Sequence, residues 1–158
     1  MPQPELTLDL ARAVLAAQPF NDLVGAELEE FGGGSATLRL PIEDRHRQQF
    51  GLVHGGVYAY LADNAITFAA GSVLGPSVVT AGFTISYLAG AREGSLIAQA
   101  RVAHHDRRQA ACVVEIHVVA ADGTRRLCSL AQGTVQATRA PGDGAPAVAD
   151  ASARDFSE

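Results

Sequence analysis

QQFGLVHGGVYAYLADNAIT, residues 48 to 67, changes character halfway along. Its first six residues are irregular. From Gly55 the chain carries apolar side chains at helical spacing, and this helical candidate runs to about Val73. At 100° per residue, Val57, Leu61, Ala65 and Phe68 share one face, with Tyr58 on its edge, and that face is expected to pack on a sheet. Ala59, Asp63, Ile66, Thr67 and Ala70 lie on the opposite side. A helix that is apolar on both sides is buried on both sides. A carboxylate on such a face is costly unless it is paired or used. A structural hydrogen bond would satisfy Asp63 without any chemistry. Its neighbours argue for more: the Thr67 hydroxyl, four residues on, reaches the same spot. Ala59 and Ala70 are small enough to leave room for a substrate.

The helix begins at His54-Gly55-Gly56. Glycines there let a ligand approach the backbone. The free N–H groups and the positive end of the dipole suit a developing oxyanion. An ordinary loop-to-helix junction is the plain alternative. Eight residues of helix separate Gly55 from Asp63, about 12 Å of rise, and the two point in different directions. One carbonyl cannot touch both within one chain. If both act on one bond they belong to two subunits, brought together by a two-fold axis with antiparallel helices.

Outward from this helix the chain reads as strands. Thr7 to Ala17 is a short amphipathic helix, capped by Thr7 or Asp9 and stopped by Pro19. Val24 to Phe31 reads as a strand, Gly32-Gly33-Gly34 as a turn, and Ser35 to Leu40 as its hairpin partner, with Ala36, Leu38 and Leu40 inward and Thr37 and Arg39 outward. Pro41 to Leu52 is polar and irregular. Val78 to Leu88, Ser95 to His105, Arg108 to Ala120 and Thr124 to Ala137 follow as strands, the last two joined at Asp122-Gly123. Alternation in the third of these puts Ala110, Cys112, Val114, Ile116 and Val118 on one face, so Cys112 reads as a small core residue rather than a nucleophile. The pattern is α+β, a long helix with an antiparallel sheet of five to six strands. Residues 1–19 form an N-terminal helical segment and 20–138 the main domain. Residues 139–158, rich in Ala, Gly, Pro and Asp, read as a flexible tail.

Composition sets limits on function. A chain of 158 residues fits one domain. With 47% apolar and 18% charged residues it reads as a soluble globular protein. A net charge of -5 without a Lys/Arg run argues against nucleic acid. No apolar stretch is long enough to span a membrane, and the N-terminus lacks the basic and apolar regions of a signal peptide. Two cysteines, Cys112 and Cys128, are expected as free thiols, and the location as cytoplasmic.

Residues 48 to 67 closely resemble the signature of hotdog-fold thioesterases, in particular the phenylacetate-pathway (PaaI-type) and 4-hydroxybenzoyl-CoA thioesterases, and the resemblance covers roughly Phe20 to Ala137. It implies a hotdog fold, a long central helix wrapped by an antiparallel sheet, in homodimers that often pair into homotetramers. It also implies hydrolysis of an acyl-CoA with no cofactor, coenzyme A being part of the substrate. By position, Asp63 matches the catalytic carboxylate, Gly55 the glycine whose N–H polarises the thioester carbonyl, and Thr67 a hydroxyl that holds the hydrolytic water. Gln48 stands where PaaI-type members have Asn and the hydroxybenzoyl type has Gln. The latter pairs that Gln with Glu, so Gln48 with Asp63 mixes two patterns and leaves open a small aryl or a medium-chain acyl group. Thr80, in VVTAGFTISY, roughly matches a Ser or Thr near the water.

The expected mechanism has Gly55 N–H bind the carbonyl oxygen. Asp63 of the other subunit activates water or attacks directly to give a mixed anhydride. Gln48 and Thr67 position the nucleophile, and His54 shapes the turn. Gly56, Ala59 and Thr80 line the substrate side. Arg107 and Arg108, in a strand junction that reads equally well as a solvated turn, are candidates for the CoA phosphates. His104 and His105 are adjacent on a strand and point apart, so no metal site is expected. A hotdog hydratase or dehydratase and a non-catalytic acyl-CoA-binding module are the alternatives.

Overall fold

Alternation of apolar residues makes six strands, and the stretch after His54 makes one long helix. The computed structural model describes residues 6–138. In chain order it contains α1 (Leu8–Ala16), α2 (Pro19–Val24), β1 (Glu27–Gly32), β2 (Ser35–Pro41), a 3-10 turn (Asp44–His46), α3 (Gly55–Leu74), β3 (Val78–Tyr87), β4 (Ser95–His105), β5 (Gln109–Val119) and β6 (Arg125–Ala137). All strand pairs are antiparallel, in the order β1-β2-β4-β5-β6-β3. The expected α+β architecture, a long helix on an antiparallel sheet, is the one observed. β5 shows the alternation at its clearest: Ala110, Cys112, Val114, Ile116 and Val118 are buried, with Glu115 exposed between them.

α3 lies across the sheet, touching all six strands. Its own Leu61, Ala62, Ala65, Ile66, Ala69 and Ala70 are fully buried. Small side chains bring the helix close to the strands. At Gly133 of β6 the approach is tightest: a Cβ there would lie 2.8 Å from Ile66 Cδ1 and 2.6 Å from Phe83 Cβ. Ile66 and Ala70, expected opposite the sheet, therefore belong to the sheet-facing side, and Val57 is only half-buried. A helix apolar nearly all round has little contrast between its faces, so the wheel fixes its phase poorly.

Two boundaries differ from expectation. Pro19 does not merely stop α1. It occupies the first turn of α2, a position that needs no N–H, and Gly25 closes that helix at a φ of 85°. The first strand consequently starts at Glu27, not Val24. Thr37, expected outward, is buried, and its hydroxyl donates to Glu30 Oε2 at 2.8 Å. Thr7 caps α1, accepting from the Leu10 N–H.

The polar segment before α3 is anchored from within by a buried histidine. His46 is buried; its Nδ1 accepts from Glu43 N–H (2.9 Å) and its Nε2–H donates to the Val24 carbonyl (2.7 Å). The His46 carbonyl in turn accepts from His54 N–H at 2.8 Å. Residues 139–158, expected as a tail, lie outside the described residues. Cys112 and Cys128 are buried free thiols, and burial pushes the Cys112 thiol up to about 11. No helix of the described residues is long and apolar enough to cross a membrane.

Candidate active site

The two ends of interest on α3 are built from different materials. At the first turn His54 is the N-cap, and its Nδ1 accepts from Gly56 N–H at 2.8 Å. That leaves the Gly55 N–H without an acceptor among the described residues, at the positive end of a 20-residue helix. His54 is exposed, because the cap precedes the helical face. The ring of Tyr87, from the end of β3, covers this turn. Its hydroxyl donates to the Gly55 carbonyl at 3.0 Å, and a Cβ on residue 55 would stand 3.2 Å from Tyr87 Cζ. Gln48 lines the same recess of about 310 Å³, together with Tyr58, Tyr87 and Leu88. The Gln48 side-chain oxygen accepts from Phe50 N–H, which leaves its amide N–H groups to donate. Tyr58 is 3% exposed, and its hydroxyl has no partner among the described residues. Burial pushes that phenol up to about 12, so it is a neutral donor.

Two turns further on, Asp63 stands in a network of hydroxyls. Thr80 Oγ1, from β3, donates to Asp63 Oδ1 at 2.6 Å. Thr67 Oγ1 lies 2.7 Å from the Asp63 carbonyl and 2.9 Å from Thr80 Oγ1. Thr80 spends its single proton on the carboxylate, so the Thr67 proton is shared between the carbonyl and the Thr80 oxygen. Asp63 Oδ2 receives no donor among the described residues. It opens into a second recess, of about 420 Å³, lined by Gly56, Ala59, Tyr60, Asn64 and Phe83 among others. The structure thus gathers Asp63, Thr67, Thr80, Ala59 and Gly56 on one side, and Gly55 and Gln48 on the other.

Arg107 and Arg108 line neither recess. Both are exposed at the β4–β5 turn, where Asp106 Oδ1 accepts from the Arg108 and Gln109 N–H groups at 2.7 and 2.9 Å. Those N–H bonds hold the Asp106 carboxyl below its ordinary range. Among the described residues no three His, Cys, Asp or Glu side chains form a metal-binding group.

Sequence reasoning missed Tyr87, Tyr58 and His46. Nothing local marks Tyr87, because its role depends on β3 folding back along α3. Tyr58 carried a visible signal, a phenol on a face assigned to the core. The pairing of a helix-terminal N–H donor with a carboxylate is chemistry suited to polarising a carbonyl and delivering an oxygen nucleophile to it.

Comparison with known proteins defines the class. Residues 50–125 match the family model for the thioesterase superfamily. Thioesterase PA1618 of Pseudomonas aeruginosa is 34% identical over 89 residues, 54% of this chain; that match spans 61% of the relative, less than two thirds of its length. Its solved structure aligns over 85% of this chain and 95% of that one, with a TM-score of 0.69 and 28% identity. A 1,4-dihydroxy-2-naphthoyl-CoA hydrolase from Listeria monocytogenes is 26% identical over 116 residues, 72% of this chain and 91% of the relative. The phenylacetic acid degradation protein PaaI of Thermus thermophilus, at 26% identity, covers 76% of this chain and 99% of its own with a TM-score of 0.67. Residues 50–125 thus carry a likeness to the thioesterase superfamily, and the long helix on a six-stranded antiparallel sheet is the hotdog fold of those solved thioesterases.

Proposed function

We propose that the protein hydrolyses a small aryl- or medium-chain acyl-CoA at a site shared between two copies of the chain. One observation carries this reading: the Gly55 N–H and the Asp63–Thr80–Thr67 network open into separate recesses of one chain, near opposite ends of the same edge strand. Among the described residues β3 pairs only with β6, so its other edge offers a row of unpaired backbone groups. Antiparallel pairing with the same strand of a second copy, centred between Phe83 and Thr84, sets Thr80 opposite Tyr87 of the partner subunit. Tyr87 rests on Gly55 and Thr80 on Asp63. That one register therefore supplies each carboxylate with a helix N-terminus across the two-fold axis. Pairing of such dimers into a tetramer is a further expectation, and so is a cytoplasmic setting.

In this arrangement the Gly55 N–H binds the thioester oxygen, where negative charge develops. Asp63, aligned by Thr80, takes a proton from water as the water oxygen attacks, or attacks itself and is released by water in a second step. The C–S bond breaks, coenzyme A leaves as thiolate and takes up the proton, and the free acid remains. Gln48 has an amide donor to spare beside the oxyanion position. The name of the Listeria relative, an aryl-CoA hydrolase, favours an acyl-CoA as the thioester.

The test uses two variants and their mixture. Asp63→Asn removes the base. Gly55→Pro removes the N–H at the first helical position, where the backbone suits proline, and the preceding His54 (φ -62°, ψ 137°) already has the conformation proline demands of its neighbour; Gly55→Ala controls for the crowding of Tyr87. Each alone should release thiol from acyl-CoAs at about 1% of the wild-type rate or less. Unfolded together and refolded, they should recover roughly a quarter of wild-type activity, since half the dimers are mixed and each carries one intact site. No recovery in a mixture that forms dimers would overturn the shared site. Near-normal activity of Asp63→Asn alone would overturn the assignment of Asp63.

A further inference from the structure

Beside the Asp63 recess lies a cavity that no step above uses. It measures about 370 Å³ and sits between α1, the C-terminal half of α3 and the start of β3. That is within the range of about 300–1,000 Å³ usual for small-ligand pockets. Its walls are Leu10, Val14, Phe31, Phe68, Gly71 and Val78. Leu10 and Val14, one helical turn apart on α1, are 43% and 51% exposed, although Ala11 and Leu15 on the same helix are buried. The cavity joins the site at one place. Gln18 and Asn64 line both it and the Asp63 recess. Their side-chain amides face each other with two reciprocal hydrogen bonds, each 3.3 Å long. These are at the weak end of the N–H···O range, so parting them costs little. The Thr67 hydroxyl, part of the Asp63 network, reaches the cavity too.

We propose that this cavity receives the aliphatic part of the acyl group, with the Gln18–Asn64 pair as the threshold that a long chain must cross and a short one need not. The inference rests on the thioesterase reading and names its substrate class. With its carbonyl carbon at Asp63, an acyl chain finds apolar lining past Asn64, where the groove follows α3 to Gly71, about 10 Å of helix rise. The direction is set by chemistry: the Asp63 recess is edged by the polar Gln18, Tyr60 and Asn64, while the cavity beyond that edge is lined mainly by hydrocarbon. A small aryl group would stop in the first recess beside Phe83 and Ala59.

The test is a chain-length profile. Each methylene buried should raise kcat/KM roughly fourfold until the groove is filled. Butanoyl-CoA and decanoyl-CoA report the two sides of the threshold. Gly71→Leu fills the groove; a Cβ at this position meets only Val78 Cγ2 at 3.7 Å, an ordinary contact. It should cut kcat/KM for decanoyl-CoA at least tenfold and leave butanoyl-CoA within about twofold. Val14→Asp, on the exposed side of α1, makes the same wall polar without touching the core and should act in the same direction. Gln18→Ala removes the threshold and should favour decanoyl-CoA over butanoyl-CoA relative to wild type. An unchanged decanoyl-to-butanoyl ratio in folded Gly71→Leu and Val14→Asp would overturn the proposal even with hydrolysis intact. Failure of the wild type to release thiol from any acyl-CoA would strike the thioesterase reading instead. The groove would then be judged by decanoyl-CoA binding to wild type and Val14→Asp, where equal affinity overturns it.

Discussion

The two ends of the first half of α3 do comparable work by opposite means. At Gly55 the functional group is backbone: an N–H set free by the geometry of a helix terminus, with a histidine cap beside it, a tyrosine over it and a buried histidine anchoring the loop that feeds it. At Asp63 the functional group is a side chain, aligned by the Thr80 hydroxyl of β3, which the Thr67 hydroxyl of its own helix meets in turn. A backbone donor survives most substitutions and is lost only when the chain path changes. A carboxylate is lost by changing a single atom. The comparison can be broken most directly at the carboxylate, and sharpened progressively elsewhere.

Asp63→Asn should have the largest effect, lowering kcat by about 10²–10⁴ with the melting temperature little changed, as read by thiol release and thermal denaturation. Gly55→Pro should follow, at about 10²–10³ in kcat, the usual loss for one oxyanion donor. If Gly55→Ala costs as much as Gly55→Pro, displacement of Tyr87 rather than loss of the N–H explains the effect. Thr80→Val removes a hydrogen bond to a charged group, about 1.5–3 kcal/mol, and should cost roughly 10- to 100-fold in kcat/KM. Thr67→Val should cost less, because its proton is shared with a backbone carbonyl.

The next test concerns the scaffold of the Gly55 end alone. His46→Phe leaves the Glu43 N–H and the Val24 carbonyl unpaired, and should lower stability by about 1–3 kcal/mol in denaturant unfolding. Activity should fall only in proportion to the disordering of the loop before Gly55. The smallest effect is in alkali. The folded Tyr58 phenol sits at about 12 against an ordinary 10, because burial disfavours its charge. The unfolded chain therefore releases that proton first, and the contribution of Tyr58 is intact below pH 10 and lost as pH rises towards 12. Tyr58→Phe should flatten that part of the stability profile.

Much of this was legible in the chain because the physics is local. β5 announces itself by alternation from Ala110 to Val118, clearest from Val114 on, and α3 by its glycine start and apolar run. Asp63 and Thr67 are four apart on one helix, so their meeting needs no tertiary knowledge. Thr80 joins them only because β3 returns along the helix, and Tyr87 reaches Gly55 for the same reason. No spacing rule carries such contacts. The rotational setting of α3 was misjudged at Ile66 and Ala70 because nearly every face is apolar. Pro19 reads as a stop from one side and as a first-turn residue from the other; the Gly25 closure, six residues on, decides it. His46 was lost in a segment whose polarity suggested only solvent.

The unpaired edge of β3 has one more consequence, under the proposed pairing. A catalyst whose every site needs two chains obeys mass action in its own concentration. Specific activity should hold steady while dimers dominate and then fall as dilution passes their dissociation constant, with no change in any side chain. The amount of protein made would then act as a control on the reaction, separate from the amount of substrate.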